Sequence, residues 1–210
     1  LTLTVKNCSA DELISTLKTM DNGFQYITAS SRNFVPARVL KKHLLGYMKA
    51  TEITYNQKEN TYHPHLHVIL AIRESYFHHD YIKKSEWVTL WQQAMKLDYA
   101  PSVHIETIKE SGKGMAGAVA ETAKYPVKVA DLLEITDKEK SVSALIALHK
   151  AMQNRRMVTF GGLFKTIRAE LRLQDVDTEN VDLNDTDQEN ENAFKPIERV
   201  FFKWPAKVGA

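Results

Sequence analysis

Hydrophobic and polar positions follow two different periods along this chain. Apolar residues that recur every three or four positions predict helices, and residue-by-residue alternation predicts strands. The helical pattern covers residues 10–20, 33–48, 85–96, 115–124 and 142–153, and it returns after Gly162. The strand pattern covers residues 1–6, 50–56, 65–72, 102–109 and 157–160, with a further strand expected at 197–204. Strands thus alternate with helices, which predicts an α+β fold with a mainly antiparallel sheet and helices packed against it.

Two of the predicted strands form a hairpin. Ala50–Asn56 and His65–Ile72 flank the polar turn Gln57-Lys58-Glu59-Asn60. Because side chains alternate between the two faces of a strand, His65 and His67 project together from one face. The apolar residues that alternate with them point to the other face and form part of a core.

The hairpin also supplies an acidic residue on the histidine face. A four-residue turn places Glu52 opposite His65, and a two-residue turn places it opposite His67. In either register the Cβ atoms of such a pair lie about 5 Å apart. Two imidazoles and a carboxylate with open coordination positions suit Mn²⁺ or Mg²⁺, and zinc is a further chemical option.

Other interpretations of this segment stay open at the level of the motif. Two histidines on a sheet can be a polar surface pair that binds nothing. His63, His65 and His67, followed by apolar residues, also fit the His-x-His-x-His pattern of the histidine-triad nucleotide hydrolases, which use a histidine nucleophile and no metal. The motif alone does not decide among these interpretations.

A second group of reactive side chains lies downstream. Glu121 and Tyr125 are four residues apart on the predicted helix, so they are neighbours on one face. Pro126 disfavours helical geometry at the residue before it, which places Tyr125 at the helix end. Lys124 and Lys128 flank the tyrosine and are candidates for contacts with phosphate.

These residue types suit phosphoryl transfer. A tyrosine hydroxyl has a pKa near 10 and needs activation, which a metal that polarises the target phosphate can supply. Attack by Tyr125 would cut a DNA strand and leave a phosphotyrosine ester that a free 3′-hydroxyl can reverse. Glu121 could act as a general base that activates water. The alternative is a solvated helix face in which neither residue takes part in chemistry.

Composition narrows the class of protein. The 210 residues contain 43% hydrophobic and 26% charged residues, as in ordinary globular proteins. We find no apolar run of about 20 residues and no signal peptide, and Leu1 in place of Met indicates a fragment that begins inside a fold. Cys8 is the single cysteine, which excludes an internal disulfide and a cysteine-based zinc site in this chain and suits a reducing cytoplasm.

Charge is distributed unevenly. Residues 174–192 contain eight acids and neither Lys nor Arg, so the rest of the chain carries a net charge of +10. A basic body can bind a phosphate backbone, although modest positive charge can also serve solubility alone. We therefore divide the chain into a catalytic domain at 1–173, an acidic flexible loop at 174–192 and a C-terminal strand or appendage at 193–210.

The order of several motifs resembles one family, the replication initiators (Rep proteins) of small rolling-circle plasmids of Gram-positive bacteria, within the HUH endonucleases. The similarity spans about residues 1–170. It rests on Leu1-Thr2-Leu3-Thr4, Glu52-Ile53-Thr54-Tyr55-Asn56, His63-Pro64-His65-Leu66-His67-Val68, Glu121-Thr122-Ala123-Lys124-Tyr125 and Gly162-Leu163-Phe164-Lys165. The resemblance implies a five-stranded antiparallel sheet and an enzyme that nicks single-stranded DNA and transfers the strand.

The resemblance also implies roles for individual residues. His65 and His67 match the metal ligands, Glu52 a third acidic ligand, Tyr125 the nucleophile and Glu121 the glutamate that replaces a second tyrosine. Such enzymes nick the double-strand origin of the plasmid, stay joined to the 5′ phosphate and leave a 3′-hydroxyl as primer.

The resemblance has limits and implies partners. The clustered cysteines that usually precede this domain in the family are absent from the sequence, so part of origin recognition is expected to be missing. The implied partners are origin DNA, single-stranded or extruded as a hairpin, and a host helicase with its replication machinery; a homodimer is compatible with the family and a membrane is not expected.

Two further functions remain as alternatives. One is another HUH nuclease, a transposase or a relaxase, with similar chemistry on a different substrate. The other is a non-catalytic domain that binds single strands by aromatic stacking on an open sheet. The spacing of Glu121 and Tyr125 and the order of the motifs favour the initiator.

Overall fold

The computed structural model describes residues 1–29, 35–108 and 138–170. Several predictions fall outside these ranges: the helix at 115–124, the residues Glu121, Lys124, Tyr125 and Lys128, the acidic stretch 174–192 and the strand at 197–204. The proposed division of the chain at residues 173 and 192 therefore stays a prediction.

The described residues form five strands and six helices. In chain order they are β1 (Thr2–Thr4), α1 (Ala10–Ala29), α2 (Val35–His43), β2 (Leu44–Asn56), β3 (Thr61–Ile72), α3 (Ser75–His79), α4 (Lys84–Met95), β4 (Val103–His104), α5 (Lys138–Met152), β5 (Val158–Gly162) and α6 (Leu163–Glu170). No helix among these ranges is both long and apolar enough to cross a membrane.

The strands form one antiparallel sheet in the order β4-β1-β3-β2-β5. The predicted α+β class with a five-stranded antiparallel sheet is confirmed. β3 occupies the centre of the sheet, with hydrogen bonds to β1 on one side and to β2 on the other. Residues on β3 are consequently held by neighbours on both edges.

One face of the sheet carries the main core. The apolar side chains of α1 and α4 pack there against β1 and β3, and the largest fully buried ones include Phe24, Leu66, Trp87 and Trp91. The predicted helix over 85–96 is confirmed in type, and four of its apolar side chains are buried in this core: Trp87, Leu90, Trp91 and Met95. A second cluster joins α1 to α5 over β2, around Leu17, Ile53 and Leu148.

The prediction of one helix over residues 33–48 is wrong in its second half. α2 ends at His43 and β2 begins at Leu44. Apolar residues at 40, 44 and 47 have helical spacing, but residues 44–49 pair with β3, and residues 46–50 also pair with β5. Ladder bonds on both edges outweigh the local preference, because β-structure depends on tertiary context.

Other boundaries also differ from the prediction. α1 continues to Ala29 instead of ending near residue 20, and α4 begins at Lys84 instead of residue 85. At the start of α4, the carboxylate of Glu86 accepts a hydrogen bond of 2.7 Å from the backbone N–H of Lys83. The strand expected at 102–109 is limited to Val103–His104, because its partner β1 spans only three residues.

Glycines allow α6 to begin directly on the sheet. Gly162 ends β5 with φ +54°, a conformation that L side chains rarely adopt. A Cβ on Gly46, its partner on β2, would lie 2.6 Å from the backbone nitrogen of Leu163. The chain therefore turns from β5 into α6 in close contact with β2.

Candidate metal centre

The register of the hairpin decides where the acidic ligand lies. Residues 57–60 form the turn, Asn56 pairs with Thr61, and Glu52 pairs with His65. This is the first of the two registers that the sequence allowed. Ala50 lies opposite His67, so Glu52 and both histidines share the face away from the α1–α4 core.

The three predicted ligands converge. One carboxylate oxygen of Glu52 lies 2.8 Å from Nε2 of His65 and 2.7 Å from Nε2 of His67. One ligand atom from each residue can be chosen so that all three lie within 4.8 Å of one another. Two imidazoles and one carboxylate on a rigid sheet form a donor set that suits a divalent cation.

The other ring nitrogens of the two histidines face the protein. Nδ1 of His65 lies 3.3 Å from the carbonyl oxygen of His63, and Nδ1 of His67 lies 3.4 Å from the hydroxyl of Thr2. Such contacts fix the orientation of an imidazole and direct its Nε2 toward an ion. The role of Thr2 was missed, although the alternation of β1 and its pairing opposite β3 place it on the same face.

Burial and charge both act on the carboxylate. Burial alone would raise the pKa of Glu52, but hydrogen bonds and positive charge from His65, and then from His67, outweigh it and lower the pKa below its usual value. Glu52 is therefore ionised at neutral pH, as a metal ligand must be. The side chains of Glu52, His65 and His67 are 10%, 13% and 21% exposed, so the site is mostly buried and opens partly to the surface.

The third histidine of the motif lies beside the ligand set. The ring centroids of His63 and His65 are 5.5 Å apart, and those of His65 and His67 are 4.9 Å apart. Burial, followed by the charge of His65, lowers the pKa of His63 against a hydrogen bond with the backbone of Val5. A neutral His63 at the edge of the site fits a supporting role better than that of a ligand.

A sequence model of a family described as "Replication protein" matches residues 1–208. The chain belongs to this replication protein family. No solved structure shows a significant match to the chain.

Curated members of the family come from Gram-positive bacteria. "Protein rep" of Streptococcus pneumoniae is 40% identical over 198 residues, which cover 93% of this chain and 58% of that protein. "Replication protein" of Staphylococcus aureus is 37% identical over 216 residues, 99% of this chain and 87% of that protein. "Protein rep" of Lactiplantibacillus plantarum is 37% identical over 97% of this chain and 64% of its own length. The chain thus spans about three fifths of two of these relatives.

Proposed function

We propose that this chain initiates rolling-circle replication by nicking single-stranded DNA at a plasmid double-strand origin and joining itself to the strand. The observation that carries the proposal is the convergence of Glu52, His65 and His67 on an accessible sheet face in a replication protein. The names of the relatives support replication, and the ligand set supports metal-dependent chemistry on phosphate.

The ligand set fits Mn²⁺ or Mg²⁺. Three protein ligands leave positions for phosphate oxygens and water, and a carboxylate favours hard cations. A bound ion would polarise the phosphate that is cut and offset the charge that develops on it. The three ligands would hold the ion on the side of the two imidazoles that carries Nε2.

The remaining steps belong to side chains of this sequence. The hydroxyl oxygen of Tyr125 attacks the phosphorus and forms the 5′-phosphotyrosine bond, while the bond to the 3′ oxygen breaks and a 3′-hydroxyl primer is released. Glu121 later accepts a proton from a water molecule, which hydrolyses a phosphodiester at termination without a second covalent link. Lys124 and Lys128 contact the backbone of the strand. The initiator acts in the bacterial cytoplasm on origin DNA, with a host helicase and its replication machinery as further partners.

A covalent adduct tests the proposal. The protein is mixed with a randomised library of single strands and Mn²⁺, and a denaturing gel should show a protein–DNA adduct that a chelator abolishes. His65→Gln should lose the adduct, whereas His149→Gln, an exposed histidine on α5, should keep it. No adduct and no cut strand would refute the proposal. An adduct through histidine in the presence of chelator would instead support a histidine-triad hydrolase.

A further inference from the structure

A cleft reaches one of the candidate metal ligands, His67, and is lined from both faces of β3. It has a volume of about 420 Å³; Thr2, Ile69 and Ala71 line it on the face of the ligands, whereas Val68 and Trp87 line it from the α1–α4 core. Ile69 and Ala71 follow His67 on β3 at alternate positions, so they continue the face on which the ligands lie. Pockets of this size suit small ligands or parts of larger ones.

α6 forms one wall of the cleft. Gly46 and Gly162 pair beside Ala71, and their lack of side chains lets α6 begin against the sheet. The second residue of the helix, Phe164, is half-buried and lines the cleft together with His67. The segment Gly162-Leu163-Phe164-Lys165 thus places an aromatic ring in the lining of a cleft that His67 also lines.

The charge of the lining indicates whether this cleft suits the base or the phosphate of a nucleotide. Neither Lys nor Arg occurs among its described lining residues, and Glu106 contributes a carboxylate that repels phosphate. The positive charges of α6, Lys165 and Arg168, are absent from that lining. An apolar floor with an aromatic wall therefore suits the uncharged base and not the backbone.

We infer that this cleft binds the base of a nucleotide next to the phosphate that is cut, stacked against Phe164. This inference rests on the proposed function. A base is attached to the sugar adjacent to its phosphate, so a strand with a phosphate at His65 and His67 brings a base within reach of the cleft. Stacking on an aromatic ring is sequence-tolerant and positions the strand for cutting. Phe164 is a positioning residue and takes no part in bond making.

A coupling experiment tests the cleft. The strand that the protein cuts best is synthesised as a series, each member with one abasic site, and binding is measured by fluorescence anisotropy in chelator, so that no strand is cut. In the wild type, one abasic position within two nucleotides of the nick should weaken binding about tenfold. In Phe164→Ala the same abasic site should have little further effect, because the stacking partner is already absent.

Variants of the same residue separate stacking from folding. Phe164→Leu keeps an apolar side chain of similar size and should lose the coupling, whereas Phe164→Trp should retain it. Tyr26→Ala removes an exposed aromatic residue from α1, on the other face of the sheet, and should behave as wild type. Thermal unfolding of each variant checks that the fold is intact.

The outcomes distinguish this inference from the proposed function. If the protein cuts DNA but every abasic site affects wild type and Phe164→Leu equally, the cleft does not bind a base and the nicking function stands. If no strand of the library is bound or cut, the proposed function is wrong and the inference fails with it.

Discussion

Glu52 and His65 are direct partners across the β2–β3 ladder, and their side chains meet at 2.8 Å. The same carboxylate oxygen reaches His67, so one acid orients two imidazoles. Glu52 therefore contacts both histidines directly and is a candidate ligand together with them.

Removal of this carboxylate should weaken metal binding. Glu52→Ala deletes one of three ligands, and we expect the affinity for Mn²⁺ to fall by more than about tenfold in titration calorimetry, since even outer partners of metal ligands contribute that much. Glu59→Ala, an exposed acid in the turn of the same hairpin, is the matched control. Unchanged Mn²⁺ affinity in Glu52→Ala would exclude it as a ligand.

Tyr125→Phe should separate binding from chemistry. The variant lacks only the hydroxyl, so the covalent adduct should disappear while the affinity for the single strand stays within about twofold of wild type. Denaturing gels and fluorescence anisotropy measure the two quantities. An adduct that forms at the normal rate would show that another residue is the nucleophile.

Glu121→Ala should affect hydrolysis more than nicking. Loss of a general base slows the step that it serves by about 10²-fold or more, whereas the attack by tyrosine does not use it. Single-turnover assays with separate nicking and termination substrates resolve the two rates. Equal hydrolysis in variant and wild type would remove the role assigned to Glu121.

A partly buried charge cluster predicts that substitutions of its acidic and its basic member lower the free energy of unfolding by different amounts. Nζ of Lys49 lies 2.5 Å from the Asp21 carboxylate, to which Arg155 also donates, and the Lys49 side chain is only 7% exposed. Asp21→Ala leaves the Lys49 ammonium without its partner and should cost about 2–4 kcal/mol in urea unfolding. Lys49→Met removes the buried charge and should cost about 1 kcal/mol or less.

The control for this pair is Asp98→Ala, an exposed acid after α4, which should change the unfolding free energy by less than about 0.5 kcal/mol. If Lys49→Met were the more damaging of the two substitutions, the view that Lys49 depends on Asp21 would be wrong.

Acidification should remove the contribution of the Asp80 carboxylate to the stability of the fold. Hydrogen bonds from Lys42, and then from His43, lower the pKa of Asp80. A carboxyl with a lowered pKa in the folded state adds stability above its unfolded pKa of about 3.9 and loses it as the pH falls through the folded value. The difference in urea midpoint between wild type and Asp80→Asn should therefore shrink below about pH 4. A difference that grows on acidification would contradict this sign.

The hairpin was predictable because two signals agree within it. The alternation of residues 65–72 sets the face of each histidine, and both registers that the turn at 57–60 allowed place Glu52 on that face, so Glu52 followed without knowledge of the rest of the fold. The contact between Thr2 and His67 required the pairing of β1 with β3, residues that are 65 positions apart. Local patterns carry no information on such a pairing.

The errors arose where tertiary contacts override local preference. Asp21-Asn22-Gly23 resembles the end of a helix, yet α1 continues through it to Ala29. Gly23 serves helix packing instead: it has no side chain, and a Cβ there would lie only 2.9 Å from the sulfur of Met95 on α4. Residues 44–49 have helical spacing, but this segment pairs with β3, and residues 46–49 also pair with β5. A short sequence window around these residues contains neither the helix that packs on Gly23 nor the strands that pair with β2.

All three candidate ligands belong to the continuous segment Leu44–Ile72, with only twelve residues between Glu52 and His65. The tolerance of this segment to insertions and deletions follows from its register. One residue added to β3 between Tyr62 and His65 would exchange the faces of the strand, turning His65 and His67 toward the helices and Leu66 toward the opposite face. We therefore expect the turn at 57–60 to accept changes in length only where the pairing of Glu52 with His65 is preserved.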